Sequence, residues 1–134
     1  MEALMYDATD YSPAISFDHV SHKLEIAGYS RPENVRTFYY PVLEWLEKYK
    51  SEVLDNSDKS NFESSPISLA LKMNYFNSSS AKFLLDVIVE VHKFHLDGFN
   101  VKIDWYFDEG DDDMLETGED LSDMVDFPFN FIEQ

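Results

Sequence analysis

A chain of 134 residues is long enough to bury a core of its own, and 44% apolar residues with 16% aromatics argue against global disorder. Cysteine is absent, which excludes disulfides, thiolate metal sites and a cysteine nucleophile. A net charge of −17 makes a surface that repels phosphate backbones and anionic lipid, so neither nucleic acid nor a membrane is an expected partner.

The chain opens Met1-Glu2-Ala3-Leu4, with no basic leader and no long apolar run, and no later segment approaches the ~18 apolar residues of a membrane span. A cytoplasmic location is the expectation. Ala14–Phe17 and Lys23–Ala27 alternate as two short strands around a polar turn at Asp18–His22. Gly28 breaks that pattern. Pro32 suits a first helical turn, with Ser30 or Arg31 before it as cap and Glu33 favourable to the helix dipole. Direct contact with a partner is the other reading of Pro32-Glu33-Asn34. Val35, Phe38, Tyr39, Val42, Leu46 and Tyr49 then recur at helical spacing, and Pro41 among them predicts a kink or a restart.

Residues 51–65 are rich in Asp, Asn, Ser and Lys and are expected to be an exposed loop or helix end. Ile67, Leu69, Leu71, Met73 and Tyr75 alternate with polar or small residues as a strand over Ile67–Phe76. Ala81–Leu96 repeats as a helix with Phe83, Leu84, Val87, Ile88, Val91 and Phe94 on its buried side, ended by Asp97-Gly98. Val101, Ile103 and Trp105 alternate as another strand. The acidic segment Asp111–Val125 holds a helix with Met114, Leu115, Leu121, Met124 and Val125 as apolar positions, and Phe129–Ile132 forms a final edge strand. Trp45 and Trp105 are expected in or near the core.

The order β-β-α-loop-β-α-β-α-β over residues 1–134 predicts one α/β domain: a mixed sheet of about four to five strands with helices packed against it. The segment 67–107 is a βαβ unit, so its two strands are expected parallel with a right-handed crossover. In open α/β sheets, functional groups gather beyond the carboxyl ends of parallel strands. Asn77-Ser78-Ser79-Ser80 lies there, between strand and helix.

The remaining chemistry is sparse. Four glycines, spread along the chain, form no nucleotide-cradling loop. His92 and His95 share a helix face but have no third ligand at matching spacing. A calcium loop opening at Asp108 would put Gly110 at the third position and Asp113 where glycine is required. No nucleophile–base spacing stands out. Neither metal, cofactor nor catalysis is expected. The serine run has two readings. Ser78 or Ser79 caps the helix, contributing ~1 kcal/mol. Alternatively, one serine is phosphorylated, which adds roughly −1.5 to −2 charges. At a helix start that charge is tolerated, whereas in a partner interface it costs several kcal/mol when desolvated, and ~1.4 kcal/mol is tenfold in affinity.

Tyr29-Ser30-Arg31-Pro32-Glu33-Asn34, Phe38–Leu46, Asn74–Lys82, Trp105–Glu109 with Met114-Leu115-Glu116, and Phe127–Phe131 resemble, in this order, the SiaC family of biofilm-regulation phosphoproteins. The resemblance runs from about Ser12 to Ile132. It implies a fold similar to the STAS domains of anti-sigma-factor antagonists and a partner-switching role. The unphosphorylated protein would bind and activate a diguanylate cyclase, raising cyclic di-GMP and promoting biofilm formation or aggregation. A serine/threonine protein kinase would block that contact and a PP2C-type phosphatase would restore it. By the family's motif the phosphorylated residue is Ser78, where the best-known relative has threonine. Ser79 and Ser80 are left as capping residues. Asn77, Ser78, Ser79, Lys82, Pro32, Glu33 and Asn34 are the expected partner contacts. The alternative output is that of an anti-sigma-factor antagonist acting on an anti-sigma kinase.

Overall fold

The computed structural model describes residues 1–134. Six strands form one sheet in simple sequential order: β1 (Leu4–Tyr6), β2 (Ala14–Asp18), β3 (Lys23–Ser30), β4 (Ile67–Phe76), β5 (Val101–Phe107) and β6 (Asn130–Glu133). β1–β2–β3 is an antiparallel meander, while β3, β4, β5 and β6 run parallel. Each parallel step carries a helix: α1 (Val35–Lys48), α2 (Ser78–Leu96) and α3 (Asp112–Val125). The sheet thus has six strands rather than four to five. The extra strand, β1, pairs Met5 with Ser16 along one edge.

Burial alternates along the strands as the pattern of apolar residues requires. Ile15, Phe17, Leu24, Ile26, Ile67, Leu69, Leu71 and Ile103 are buried on the face that the helices cover. On the other face Lys72 pairs with Glu25 at 2.8 Å and lies over the Tyr106 ring. The helices present Tyr39, Val42 and Leu46 from α1 and Leu84, Val87, Ile88 and Val91 from α2 to the same core, which includes Trp45 and Trp105. α2 ends as its glycine suggests. Gly98 takes φ +100°, its N–H reaches the His95 carbonyl, and the Phe99 N–H reaches the Phe94 carbonyl.

Other expectations differ from the structure. α1 starts at Val35, not near Pro32: Ser30 is still in β3, paired with Phe76, and Asn34 is the cap, accepting from Thr37 N at 3.1 Å. α1 does not restart at Pro41, which lies inside it and lacks the donor that would serve the Thr37 carbonyl. A wider π-type turn follows over Tyr49–Val53. Finally, 51–65 is not simply an exposed loop. It holds 3-10 turns at Leu54–Asn56 and Lys59–Phe62, and Leu54 and Phe62 are buried in the core.

Candidate functional site

Adjacent parallel strands end at one edge of the sheet, and the helices that follow all begin there. A register pair sets Ser30 of β3 beside Phe76 of β4. The exits from these two strands are Arg31–Asn34 and Asn77. The two separate segments expected to meet a partner therefore leave the sheet side by side.

At the second exit, Asn77 is extended (φ −84°, ψ 174°), and its Oδ1 accepts the Ser80 N–H at 2.9 Å. Asn77 is the cap, in place of any of the serines. Ser78 and Ser79 are the first two helical residues, and both are exposed. α2 has no acidic side chain in its first turn. Its N-terminal amides and dipole favour an added negative charge. Lys82, one turn on, is exposed, with Nζ 3.5 Å from Asp86 and 4.8 Å from the Phe83 ring centroid.

Ser80 is fully buried, so neither a kinase nor a partner can reach it, and it caps nothing. Its hydroxyl accepts from Ser30 at 2.8 Å, and Ser30 lies 2.6 Å from the Tyr39 hydroxyl. Burial pushes the Tyr39 phenol up to about 12, so it stays a protonated donor. The sequence suggests Ser30 only as a cap for the next helix, and Tyr39 only as an apolar position. The available signal is phase: Leu24, Ile26, Gly28 and Ser30 share one side of β3, which puts a hydroxyl in an apolar slot.

At the first exit, Pro32, Glu33 and Asn34 line one side of a groove of about 650 Å³, whose other wall includes Met5, Tyr6 and Tyr11. Asn77, Ser78, Ser79 and Lys82 do not line it. Arg31 lies over the Tyr11 ring at 5.4 Å, and its N–H donates to the Tyr11 carbonyl at 2.7 Å. This second contact fixes the 7–12 segment, which sequence reasoning left without a role. No three His, Asp or Glu side chains are arranged to hold a metal ion, and no helix is long and apolar enough to cross a membrane.

What this edge offers is a reachable hydroxyl on a helix start that accepts charge, next to a groove. That is the equipment of a regulatory binding protein. The comparisons with known proteins agree. The model of the SiaC family regulatory phosphoproteins matches residues 6–134, and the chain belongs to that family. An uncharacterized protein of Pseudomonas aeruginosa strain UCBPP-PA14 is 27% identical over 129 residues, covering 96% of this chain and 94% of the relative. The crystal structure of apo-SiaC from Pseudomonas aeruginosa superposes with a TM-score of 0.79 at 27% identity, covering 100% of this chain and 99% of that one. The crystal structure of the diguanylate cyclase SiaD in complex with its activator SiaC, from the same organism, matches with a TM-score of 0.83 at 26% identity, covering 98% and 99%.

Proposed function

We propose that this chain, with Ser78 unmodified, binds a diguanylate cyclase and activates it, raising cyclic di-GMP and favouring biofilm formation. The observation that carries this reading is the match, over nearly the whole of both chains, to an activator solved on its cyclase. The same match favours it over the anti-sigma-factor antagonist. In this scheme a serine/threonine kinase phosphorylates Ser78, a PP2C-type phosphatase reverses it, and the chain itself catalyses nothing and acts in the cytoplasm.

The geometry supports Ser78 as the switch. It is exposed, it is the first residue of α2, and the cap that stabilises the helix belongs to its neighbour. Phosphorylation therefore leaves the cap bond intact. The fold tolerates the charge, while a partner pressed onto Ser78 would have to desolvate it. Asn77, Ser78, Ser79 and Lys82, together with Pro32–Asn34, are the proposed contact surface.

The test begins with recovery of partners from the chain's own host by pull-down, using wild type and Ser78→Ala, and identification by mass spectrometry. The cyclase so identified is then titrated by calorimetry with wild type and with protein carrying phosphoserine at 78. A desolvated phosphate costs several kcal/mol, so the expected loss is about 100-fold or more in affinity, with the melting temperature within roughly 3 °C of wild type. Equal affinity for the two forms sinks the proposal.

A further inference from the structure

Beneath the edge, three hydroxyls meet in the core that the switch chemistry itself does not use. Ser30 ends β3, Tyr39 lies in the second turn of α1, Ser80 lies in the first turn of α2, and none of them is exposed to solvent. Ser30 Oγ donates to Ser80 Oγ at 2.8 Å and lies 2.6 Å from the Tyr39 hydroxyl. Since Ser30 has given its one proton to Ser80, Tyr39 is the donor to Ser30.

Ser30 is a hub in a second way. Its carbonyl accepts the Asn77 N–H at 3.1 Å, and Asn77 Oδ1 accepts the Ser80 N–H at 2.9 Å. The three bonds close a ring: Asn77 to Ser30, Ser30 to Ser80, Ser80 to Asn77. Ser78 and Ser79 are the two residues of the bend that stand outside this ring. The Pro32–Asn34 segment is leashed to the same hub, because only Arg31 separates it from Ser30 and it leads into α1, which carries Tyr39. Apolar packing is non-directional and would let α1 and α2 settle at several offsets over the sheet, whereas a fully satisfied buried polar network fixes one.

We propose that Ser30, Tyr39 and Ser80 are positioning residues of the switch: they hold Ser78 and the Pro32–Asn34 segment at one spacing, the spacing a cyclase docks on, while touching no partner themselves. This rests on the proposed function, in which those two segments form the contact surface.

The discriminating variant is the triple replacement Ser30→Ala, Tyr39→Phe, Ser80→Ala in the full chain. It removes every hydroxyl of the cluster together and leaves no buried donor without an acceptor, so stability is expected to stay near that of wild type. Two readouts follow: affinity for the cyclase recovered with the wild-type chain, and amide hydrogen exchange. The expected results are a loss of about tenfold in affinity and exchange at Ser80 and Ala81 faster by about tenfold, with Val87–Val91 unchanged. A folded triple variant with wild-type affinity overturns the proposal, and so does wild-type exchange at Ser80 and Ala81. Should the triple variant not fold, Tyr39→Phe alone, which keeps the Ser30–Ser80 bond, is read the same way with about threefold effects expected. If wild type itself binds no cyclase, the proposed function fails, and the exchange measurement alone decides whether the hydroxyls hold the bend.

Discussion

The starts of α2 and α3 share one plan and are finished differently. Each helix follows a parallel strand, and each is capped by a side chain that accepts an N–H three residues on: Asn77 from Ser80 at 2.9 Å, Asp111 from Met114 at 3.1 Å. Beyond the cap, α3 places Asp112 and Asp113 in its first turn, while α2 has no acidic residue there. Fixed carboxylates therefore occupy the positive end of α3 permanently, and at α2 the same positions hold neutral hydroxyls. The supports differ as well. α3 sits on the buried Trp105 ring, whose Nε1 donates to the Met114 carbonyl at 2.9 Å; α2 is held by Asn77, Ser30 and Ser80. Directional bonds hold both starts, but fixed charge and close apolar contact close the one at α3. The one at α2 is left uncharged, so a charge can come and go there without competing with one already present.

The largest expected effect breaks the closed start. A Cβ at Gly118 would stand 2.5 Å from Trp105 Cδ1 and Nε1, and Trp105 is fully buried. Either the ring or α3 must move, and overpacking of this kind costs about 1–3 kcal/mol. Helix propensity gained by the alanine offsets about 0.5–1 kcal/mol of this, so Gly118→Ala is expected to cost about 2 kcal/mol net, which for a chain of this size lowers the melting temperature by roughly 5–8 °C. Thermal unfolding followed by circular dichroism checks it. An unchanged midpoint would mean that α3 rides loosely on Trp105, and the contrast in supports would be lost.

Gly118 also shows how far sequence reasoning reaches. Met114, Gly118, Leu121 and Val125 lie on one face of α3, and a glycine in an apolar stripe signals close approach, but only the structure names Trp105 as what approaches. Where a segment's own period matches its burial, the sequence is enough. β4 and α2 are of this kind: Ile67, Leu69, Leu71 and Met73 alternate inward, and Phe83 through Phe94 repeat at helical spacing, all buried. β1 is three residues long and owes its state to β2 rather than to its own pattern. Val53, Leu54 and Phe62 are the few apolar residues in a polar stretch, too few to define a period. The cap of α2 is illegible for a different reason. Four adjacent residues, Asn77 to Ser80, can all cap a helix, and the register is decided by Ser80 entering the core to meet Ser30, 50 residues away.

The middle-sized effects set cap against cap. Asn77→Ala and Asp111→Ala each lose one side-chain bond to a backbone amide, and each is expected to cost about 1 kcal/mol in chemical denaturation. Their functional consequences should part. Asn77→Ala frees the bend that presents Ser78, so cyclase affinity falls beyond what the lost stability explains, while Asp111→Ala leaves affinity within about twofold. Equal losses of affinity would mean that both helix starts belong to the contact surface.

The smallest expected effect concerns the charge itself. Ser79 is the second residue of α2, matching Asp113 in α3. Ser79→Asp places a carboxylate on the uncharged start, which at low ionic strength should stabilise the chain by about 0.3–1 kcal/mol. The whole-molecule charge of −17 opposes this gain, but that repulsion is spread over the surface and the helix end is local. At 1 M salt the screening length falls to about 3 Å and most of the increment should vanish. Asp113→Ser, the reverse change at α3, should lose a similar amount with the same salt dependence. Urea unfolding of both variants at low and high salt measures the pair. A stabilised Ser79→Asp protein that also binds cyclase less well would explain why this helix forgoes a carboxylate: a permanent charge at 79 would improve the fold and hold the proposed switch partly closed, whereas under the proposed function a hydroxyl at 78 would acquire its charge only when a kinase supplied it. A destabilised Ser79→Asp protein would show instead that net repulsion outweighs the helix end, and the tolerance argued for a phosphate on Ser78 would fall with it.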